Sequence, residues 1–354
     1  MVIIQDRRVF LRMKRYLLIL VLSISLIYAR KIVVKMATLA PEGTEWHGML
    51  IEMGQEWKKA TDGEVQLRIY PGGVVGDERD MVRKMRIGQL HGAGFTGVGL
   101  GQILPEVRVL DLPFLFSTDE EIQHVYSKMS DYYAARYEDK GYVLLGWVPV
   151  GWIHFFSQHP IRSVEDLRRS KSWMWEGDPL VEQAYKGMGV QPIPLSITDV
   201  LLSLQTGMVN TVYSSTQGAL ALQWFTKVKY VTRLRMGYAT GGVLISKKKF
   251  DKLPQPYQSA VKKIATECLR ELVQLIQEDN LKAHKVLEKN DVKWVDLPDE
   301  KEMRRFREAG VAARKNMAGK YFPSTLLDQV LNHLKEIRRP LAREAIGQEL
   351  VESR

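Results

Sequence analysis

The sequence predicts an α/β protein built on parallel or mixed sheets. Two kinds of segment alternate along the chain. In the short segments apolar residues form a run or occupy every second position, and in the longer segments apolar residues recur every three or four positions. Turns rich in glycine and proline separate the two kinds of run. We find no internal repeat and no low-complexity linker, and strands that alternate with helices are typical of α/β folds.

Strands are predicted from alternation, β-branched residues and flanking turns. The second predicted strand ends at the turn Pro71-Gly72-Gly73, where the glycines permit a positive φ. A short glycine-containing strand leads into a predicted loop, Thr96–Gly101. The predicted strands are Lys31–Met36, Val65–Tyr70, Gly92–Phe95, Tyr142–Trp147, His154–Ser157, Lys171–Trp175, Val209–Ser214 and Thr240–Ser246.

Helices are predicted from apolar periodicity and from residues that start or stop a helix. Thr44 and Ser163 stand where an N-cap is needed, and Gly189 and Gly207 stand where helices should end. The predicted helices are Glu45–Thr61, Asp77–Gly88, Asp119–Lys140, a short helix after Ser163, Asp178–Met188, Ser196–Thr206, Gln217–Trp224, Pro254–Glu288, Glu300–Gly319 and Thr325–Ile346. The longest is expected to place on one side Val261, Ile264, Cys268, Leu272, Ile276 and Leu281.

A targeting segment is predicted at the N-terminus. Met13-Lys14-Arg15 begins a basic stretch, an apolar run follows from Tyr16 to Tyr28, and Ala29 offers a small residue for cleavage. We therefore expect residues 1–29 to be a signal peptide and the mature protein to be periplasmic. An uncleaved membrane anchor is the alternative, and the start codon is that of either Met1 or Met13.

Composition narrows the function classes. The chain has 354 residues, 45% of them hydrophobic, which is enough for the packed core of one or two domains. Its net charge is +10, but the lysines and arginines are scattered and no basic stripe alternates with aromatic residues, so no nucleic-acid partner is predicted. Cys268 is the only cysteine, which excludes an internal disulfide.

No catalytic or metal motif is complete in the sequence. Gly92-x-Gly94-x-x-Gly97 has the letters of a dinucleotide fingerprint, but that fingerprint needs a strand before it and a helix opening at it, and neither is predicted here. The seven histidines are isolated, with no acidic or cysteine ligand spaced to complete a metal set, so no metal or cofactor is predicted. Since no convergent set of titratable groups is found, no enzymatic activity is predicted.

Aromatic residues cluster at predicted strand ends and loops in the middle of the chain: Trp147, Trp152, Trp173, Trp175, Tyr213, Trp224, Phe225 and Tyr238. Strand ends face the cleft of a two-lobed α/β binding protein. As a set, these residues predict a partly aromatic binding cleft. The alternative for any one of them is a place in the hydrophobic core.

Several phrases of the chain resemble one family of receptors, the extracytoplasmic solute-binding proteins of TRAP transporters (the DctP-like family). The resemblance runs from Lys31 to about Leu297. Its phrases are Ala40-Pro41 to Trp46-His47, Glu64–Gly76, Leu110–Phe116, Gly146-Trp147 with Gly151-Trp152, Pro192-x-Pro194 with Leu204–Val209, and Ser246–Phe250 with Leu253-Pro254.

The resemblance implies a two-lobed solute-binding fold with a central ligand cleft and a long helix bridging the lobes. It implies that residues 30–150 with 239–278 form lobe I and that residues 151–238 with 279–354 form lobe II. It also implies a receptor that catches a small molecule by lobe closure and delivers it to the membrane permease subunits, without catalysis. A periplasmic tetratricopeptide-repeat protein is a further partner expected from the resemblance alone.

The chain departs from the family at three positions that bear on the ligand. Relatives carry a carboxylate-binding arginine where this chain aligns Trp173, and an acidic residue and an asparagine where it has Tyr213 and Ser214. A tryptophan cannot neutralise a buried carboxylate. An apolar or amphipathic ligand is therefore predicted, held by Leu39, Trp46, Phe95, Thr96, Trp147, Trp152, Trp173, Trp175, Tyr213, Ser214, Trp224 and Tyr238.

Three alternatives remain open at this point. An arginine from elsewhere, such as Arg233 or Arg235, would restore ordinary organic-acid binding. A periplasmic enzyme on the same fold, or a scaffold whose cleft has lost its ligand, would depart further from the family.

Overall fold

The computed structural model describes residues 31–352, with side chains to residue 338, so the predicted signal peptide lies outside the described part. Its strands are β1 Ile32–Ala37, β2 Val65–Tyr70, β3 Gly92–Thr96, β4 Tyr142–Trp147, β5 Gly151–Ser157, β6 Trp173–Trp175, β7 Ile193–Leu195, β8 Thr211–Ser214, β9 Tyr230–Thr232, β10 Gly237–Ala239, β11 Gly241–Ser246 and β12 Lys293–Val295.

Its helices are α1 Glu45–Ala60, α2 Glu78–Arg86, α3 Gly97–Ile103, α4 Asp119–Asp139, α5 Val164–Arg169, α6 Pro179–Met188, α7 Val200–Thr206, α8 Thr216–Ala221, α9 Lys247–Phe250, α10 Gln255–Lys289, α11 Glu300–Met317 and α12 Ser324–Glu352. A 3₁₀ turn over Pro105–Asp111 follows α3. No helix between residues 31 and 352 combines the length and the apolar character needed to cross a membrane.

Two separate sheets give the molecule its two lobes. The first has the order β2-β1-β3-β11-β4, with β1 parallel to both β2 and β3 and with β11 antiparallel to both β3 and β4. The second has the order β10-β5-β9-β12, and β8 also pairs with β5. A short parallel sheet, β6 with β7, lies beside β8. The part built on the first sheet is called lobe I below, and the part built on the others lobe II.

The chain passes between the lobes more than once. It enters lobe II between β4 and β5, and it returns to the first sheet between β10 and β11, where β11 inserts between β3 and β4. The last helix, α12, packs against α4, and Val330 and Leu334 are buried in the same core cluster as Tyr133. This helix was predicted in lobe II, whereas its packing is with lobe I.

The longest helix, α10, runs from one core to the other. Its 35 residues correspond to a length of about 50 Å. Val261 and Leu272 belong to the core cluster of lobe I, while Leu287 belongs to a core cluster of lobe II. The Nε1 of Trp57 donates to the carbonyl oxygen of Val261 at 3.1 Å and so ties α1 to this helix. Leu281, predicted on the apolar side, is 74% exposed, and that prediction was wrong.

The segment predicted as the loop Thr96–Gly101 contains a helix, α3. Three glycines in seven residues disfavour a helix by intrinsic propensity, so the sequence gives no local signal for α3. Packing overrides propensity here, because a Cβ at Gly97 would clash with the carboxylate of Asp111 and a Cβ at Gly99 would clash with the ring of Phe95. The hydroxyl of Thr96 caps the helix by accepting from the N–H of Val98.

Candidate functional site

A cavity of about 230 Å³ lies between the two lobes. Lobe I contributes the end of β3 and the loop after β1, and lobe II contributes β6, the end of β8 and one face of α6. The lining is predominantly apolar and aromatic and includes a few buried charged groups. Sites for drug-sized ligands commonly occupy about 300–1,000 Å³. This cavity is smaller than that range, so it suits a small molecule.

Trp173 is the centre of an aromatic stack on the lobe II side of the cavity. Its ring stacks on Tyr213 with centroids 4.7 Å apart and meets Trp224 edge to face at 5.3 Å. Trp175 lies beside it at 6.0 Å. The side chain of Trp173 is 1% exposed, and its Nε1 donates to the carbonyl oxygen of Leu195 at 3.0 Å. Its one donor is therefore used within the protein, and what it offers the cavity is an apolar ring.

Arg108 is the only lysine or arginine among the described residues that line the cavity. Its Nη1 donates to Asp111 at 2.6 Å, and its Nη2 donates to both oxygens of Asp178 at 2.9 and 2.8 Å. Burial by itself would lower the pKa of Arg108, but Asp178 and Asp111 together outweigh burial and raise it. The guanidinium is thus charged and already held by two carboxylates, one of them from lobe II.

Glu78 places a buried carboxylate at the start of α3. It accepts from the N–H of Thr96 at 2.7 Å, from the hydroxyl of Thr96 at 2.9 Å and from the N–H of Gly99 at 2.6 Å. Burial raises the pKa of Glu78 to about 7, against the effect of these three donors. A helix does open at the last glycine of Gly92-x-Gly94-x-x-Gly97, but the first two glycines lie within β3 and the element before them is the helix α2, so no strand precedes the motif. Glu78 also occupies the place at the N-terminus of α3 that a phosphate would need.

Asp77 joins the lobes by contacts with two residues that line the cavity, Trp175 and Ile197. It stands at the N-cap position of α2, yet its side chain makes no capping bond there. Instead its carboxylate accepts from lobe II donors: the Nε1 of Trp175 at 3.0 Å, the hydroxyl of Ser196 at 2.7 Å and the N–H of Ile197 at 3.3 Å. Because Trp175 also lines the cavity, one wall of the site is fixed by a contact between the lobes.

The structure brings ten of the twelve predicted ligand-binding residues to the cavity: Leu39, Trp46, Phe95, Thr96, Trp173, Trp175, Tyr213, Ser214, Trp224 and Tyr238. Whether they bind a ligand stays a prediction.

The other two predicted residues, Trp147 and Trp152, lie outside the cavity lining. Trp147 packs edge to face on Tyr126 at 5.3 Å, in the core between β4 and α4. The Nε1 of Trp152 donates to Asp119 at 2.9 Å, and the guanidinium of Arg235 lies 4.7 Å from the centre of its ring. Arg233, the other arginine considered as a replacement, lies over the ring of Trp294 and, like Arg235, does not line the cavity.

The charged residues of the site were missed by the sequence analysis. Arg108 and Asp178 are seventy positions apart, and Asp77 and Ser196 more than a hundred, so no local spacing joins them. One signal was available. Arg108 lies two residues before Leu110–Phe116, one of the phrases that carry the resemblance, and Asp111 lies within it. Charged residues that flank an apolar loop are either solvated or buried in pairs, and here they are buried in pairs.

Comparison with known proteins gives one family for this chain. The model of the family described as bacterial extracellular solute-binding protein, family 7 (DctP), matches residues 36–320. A solute-binding protein of Verminephrobacter eiseniae is 27% identical over 209 residues, 58% of this chain and 62% of that protein. The 2,3-diketo-L-gulonate-binding periplasmic protein YiaO of Escherichia coli is 26% identical over 227 residues, 64% of this chain and 69% of that protein.

Solved structures share the fold over most of the chain. The sugar acid binding protein DctPAm of Advenella mimigardefordensis, in complex with galactonate, superposes with a TM-score of 0.81 at 18% identity and covers 87% of this chain and 99% of its own. A TRAP periplasmic solute-binding protein of Xanthobacter autotrophicus with bound β-D-galacturonate superposes with a TM-score of 0.79 at 21% identity, covering 85% and 99%. The two-lobed α/β solute-binding fold predicted from the sequence is confirmed.

Proposed function

Since this chain belongs to the DctP family of bacterial extracellular solute-binding proteins, we propose that it is the extracytoplasmic receptor of a TRAP-type transporter. In this function it captures a small molecule between its lobes and delivers it to the membrane permease subunits. The observation that carries the proposal is the cavity between lobes I and II, with walls from both. Only the closed form of the protein contacts the ligand from both lobes at once, so binding of the ligand stabilises the closed form.

We propose further that the ligand is apolar or amphipathic. Support comes from the stack of Trp173 on Tyr213, which puts an apolar ring where the family resemblance leads one to expect a carboxylate-binding arginine. Arg108 is already paired with Asp111 and Asp178, and a buried ligand carboxylate without a free cation would cost several kcal/mol. Flat aromatic surfaces with few polar groups suit a ligand with an apolar body.

Binding of an organic acid is the second candidate function. It is favoured by the position of Arg108 on the cavity wall and by the acids bound in the solved structures of similar fold, galactonate and galacturonate. An acid would have to share Arg108 with Asp178 or displace it. Arg108 thus takes the part that the sequence analysis gave to Arg233 or Arg235.

Mass spectrometry of the molecule that co-purifies with the protein tests the two ligand classes. The protein is denatured to release the molecule, which is identified and titrated back by calorimetry. An apolar or amphipathic molecule is expected, with an affinity that falls when Trp175 is replaced by alanine and is unchanged in the surface control Arg83→Ala. A small carboxylic acid whose binding is lost in Arg108→Gln would overturn the apolar proposal and leave the receptor function intact.

The partners follow from the same family membership. The permease subunits are the partner on which the proposed receptor function depends. A periplasmic tetratricopeptide-repeat protein is proposed as a further partner on the resemblance alone. Affinity purification of the protein with its cross-linked neighbours tests both, and recovery of permease subunits without a repeat protein would remove the second partner only.

A further inference from the structure

Three side chains of metal-binding type converge where α12 packs on α4, on the surface of lobe I and away from the cavity. His124 comes from α4, and His333 and Glu336 come from α12. The Nε2 of His124 lies 3.2 Å from the Oε2 of Glu336, and the Nδ1 of His333 lies 3.3 Å from the same oxygen. Within the described residues, all three ligand atoms lie within 4.8 Å of one another. The histidines are isolated in the sequence, but His124 and His333 meet in the fold.

The distances match those between neighbouring ligands of a tetrahedral metal. Zn²⁺ binds imidazole nitrogen and carboxylate oxygen at about 2.0–2.2 Å, so two ligand atoms on a tetrahedral ion are about 3.3–3.5 Å apart. Two of the three separations already have nearly this value. The third, between the two imidazoles, is at most 4.8 Å, and small rotations of the rings about their side-chain bonds would close it.

We propose that His124, His333 and Glu336 form a Zn²⁺ site that joins α12 to α4. Two imidazole nitrogens and one carboxylate oxygen are a ligand set suited to Zn²⁺, with water in the fourth position. The side chains of the two histidines are each 25% exposed and that of Glu336 is 53% exposed, so an ion can reach them and water can complete the coordination.

The local arrangement favours a metal in two ways and opposes it in one. The helix presents His333 and Glu336 three residues apart, which puts both on one face before any ion arrives. The Oε2 of Glu336 lies within 3.3 Å of a ring nitrogen of each histidine, so the three ligand atoms already face one another. Lys128, one turn after His124 on α4, brings a positive charge near Glu336 and limits the affinity.

Calorimetric titration of the untagged, chelator-stripped full-length protein with ZnCl₂ tests the proposal. One ion should bind per molecule, and either His124→Gln or Glu336→Gln should weaken binding. Loss of outer-shell partners typically costs 10–100-fold, so loss of a direct ligand is expected to cost more than about 100-fold. His159→Gln, which removes an exposed histidine elsewhere on the surface, should bind Zn²⁺ as the unaltered protein does.

The alternative is that the three side chains only hydrogen-bond with one another. In that case the unaltered protein would bind no Zn²⁺, or it would bind as tightly after each substitution as before, and either result overturns the proposal. Thermal unfolding of the stripped proteins separates the two roles, because a lost hydrogen bond lowers the melting temperature without metal. A rise on adding Zn²⁺ that the variants lack is the signature of the site.

Discussion

Replacing Asp77 by alanine should weaken closure of the lobes without unfolding either of them. The carboxylate of Asp77 belongs to lobe I, and its hydrogen-bond donors, on Trp175, Ser196 and Ile197, belong to lobe II. Its side chain makes no capping bond to α2, so the substitution leaves the bonds within that helix unchanged. The loss therefore falls on the contact between the lobes.

The size of the effect follows from the geometry. A hydrogen bond to a charged group contributes about 1.5–3 kcal/mol net. The bonds from Ser196 at 2.7 Å and Trp175 at 3.0 Å are short, whereas the bond from Ile197 at 3.3 Å is long and is given no weight. Two bonds at the lower value give about 3 kcal/mol, which corresponds to a change of roughly 150-fold in the ratio of closed to open molecules.

Distances between spin labels on the two lobes, measured by pulsed electron paramagnetic resonance, give the ratio of closed to open molecules during titration with the co-purifying ligand. Asp77→Ala should need about two orders of magnitude more ligand for half closure. Trp175→Phe, which removes one donor and keeps an aromatic ring, should lie between the variant and the unaltered protein. Asp80→Ala is the matched control, since Asp80 lies on the same helix and, among the described residues, pairs with Arg83 at 2.8 Å within lobe I. If Asp77→Ala closed as readily as Asp80→Ala, the reasoning would be refuted.

Two further predictions concern stability. Arg108→Gln should lower the free energy of unfolding, measured in urea, by about 3–5 kcal/mol, because it leaves Asp111 and Asp178 buried without their cation. The double variant Arg108→Gln/Asp178→Asn should recover part of this loss. Equal stability of Arg108→Gln and the unaltered protein would contradict this account. Burial raises the pKa of Glu78 in the folded protein from the ordinary value of 4.5 to about 7. Between pH 4.5 and about pH 7 the folded state therefore keeps a proton on Glu78 that the unfolded chain releases. The stabilisation from that proton is complete below about pH 4.5 and is lost as the pH rises to about 7. Relative to Glu78→Gln, the unaltered protein should therefore become less stable over this range in urea melts, and parallel curves would show that Glu78 is ionised throughout.

Local signals in the sequence were enough for most of the helices and the longer strands, but the three-residue strands β7, β9, β10 and β12 were not predicted. Thr44 accepts from the N–H of His47 at the start of α1, Ser163 forms a capping box with Asp166, and Gly189 ends α6 in the left-handed conformation, all as the residue types predicted. Each of these signals acts within one turn of the chain. The same local propensity failed at α3, where the glycines are set by contacts with residues of other elements.

The lining of the cavity was predictable only in part. A position at the end of a strand places a residue near the cavity but does not determine which face of the sheet its side chain is on. Trp173 and Tyr213 come from strands of lobe II and meet at the cavity wall. Trp147 also ends a strand, but its side chain points to the opposite face of the sheet, toward α4. Successive side chains of a strand lie on opposite faces of the sheet, so a residue one position further along the strand faces the core where its neighbour faces the cleft.

Arg108 connects the chemistry of the ligand to closure of the lobes. Its pairing with Asp178 is, like the contacts of Asp77, a contact between lobe I and lobe II. A carboxylate ligand that captured Arg108 would take away a contact that favours closure and would leave Asp178 buried without a partner. A ligand without a negative charge leaves both contacts made, so the full free energy of its burial favours the closed form. We therefore propose that in this chain the pairing of Arg108 with Asp178 disfavours acids, even though a cation stands on the cavity wall.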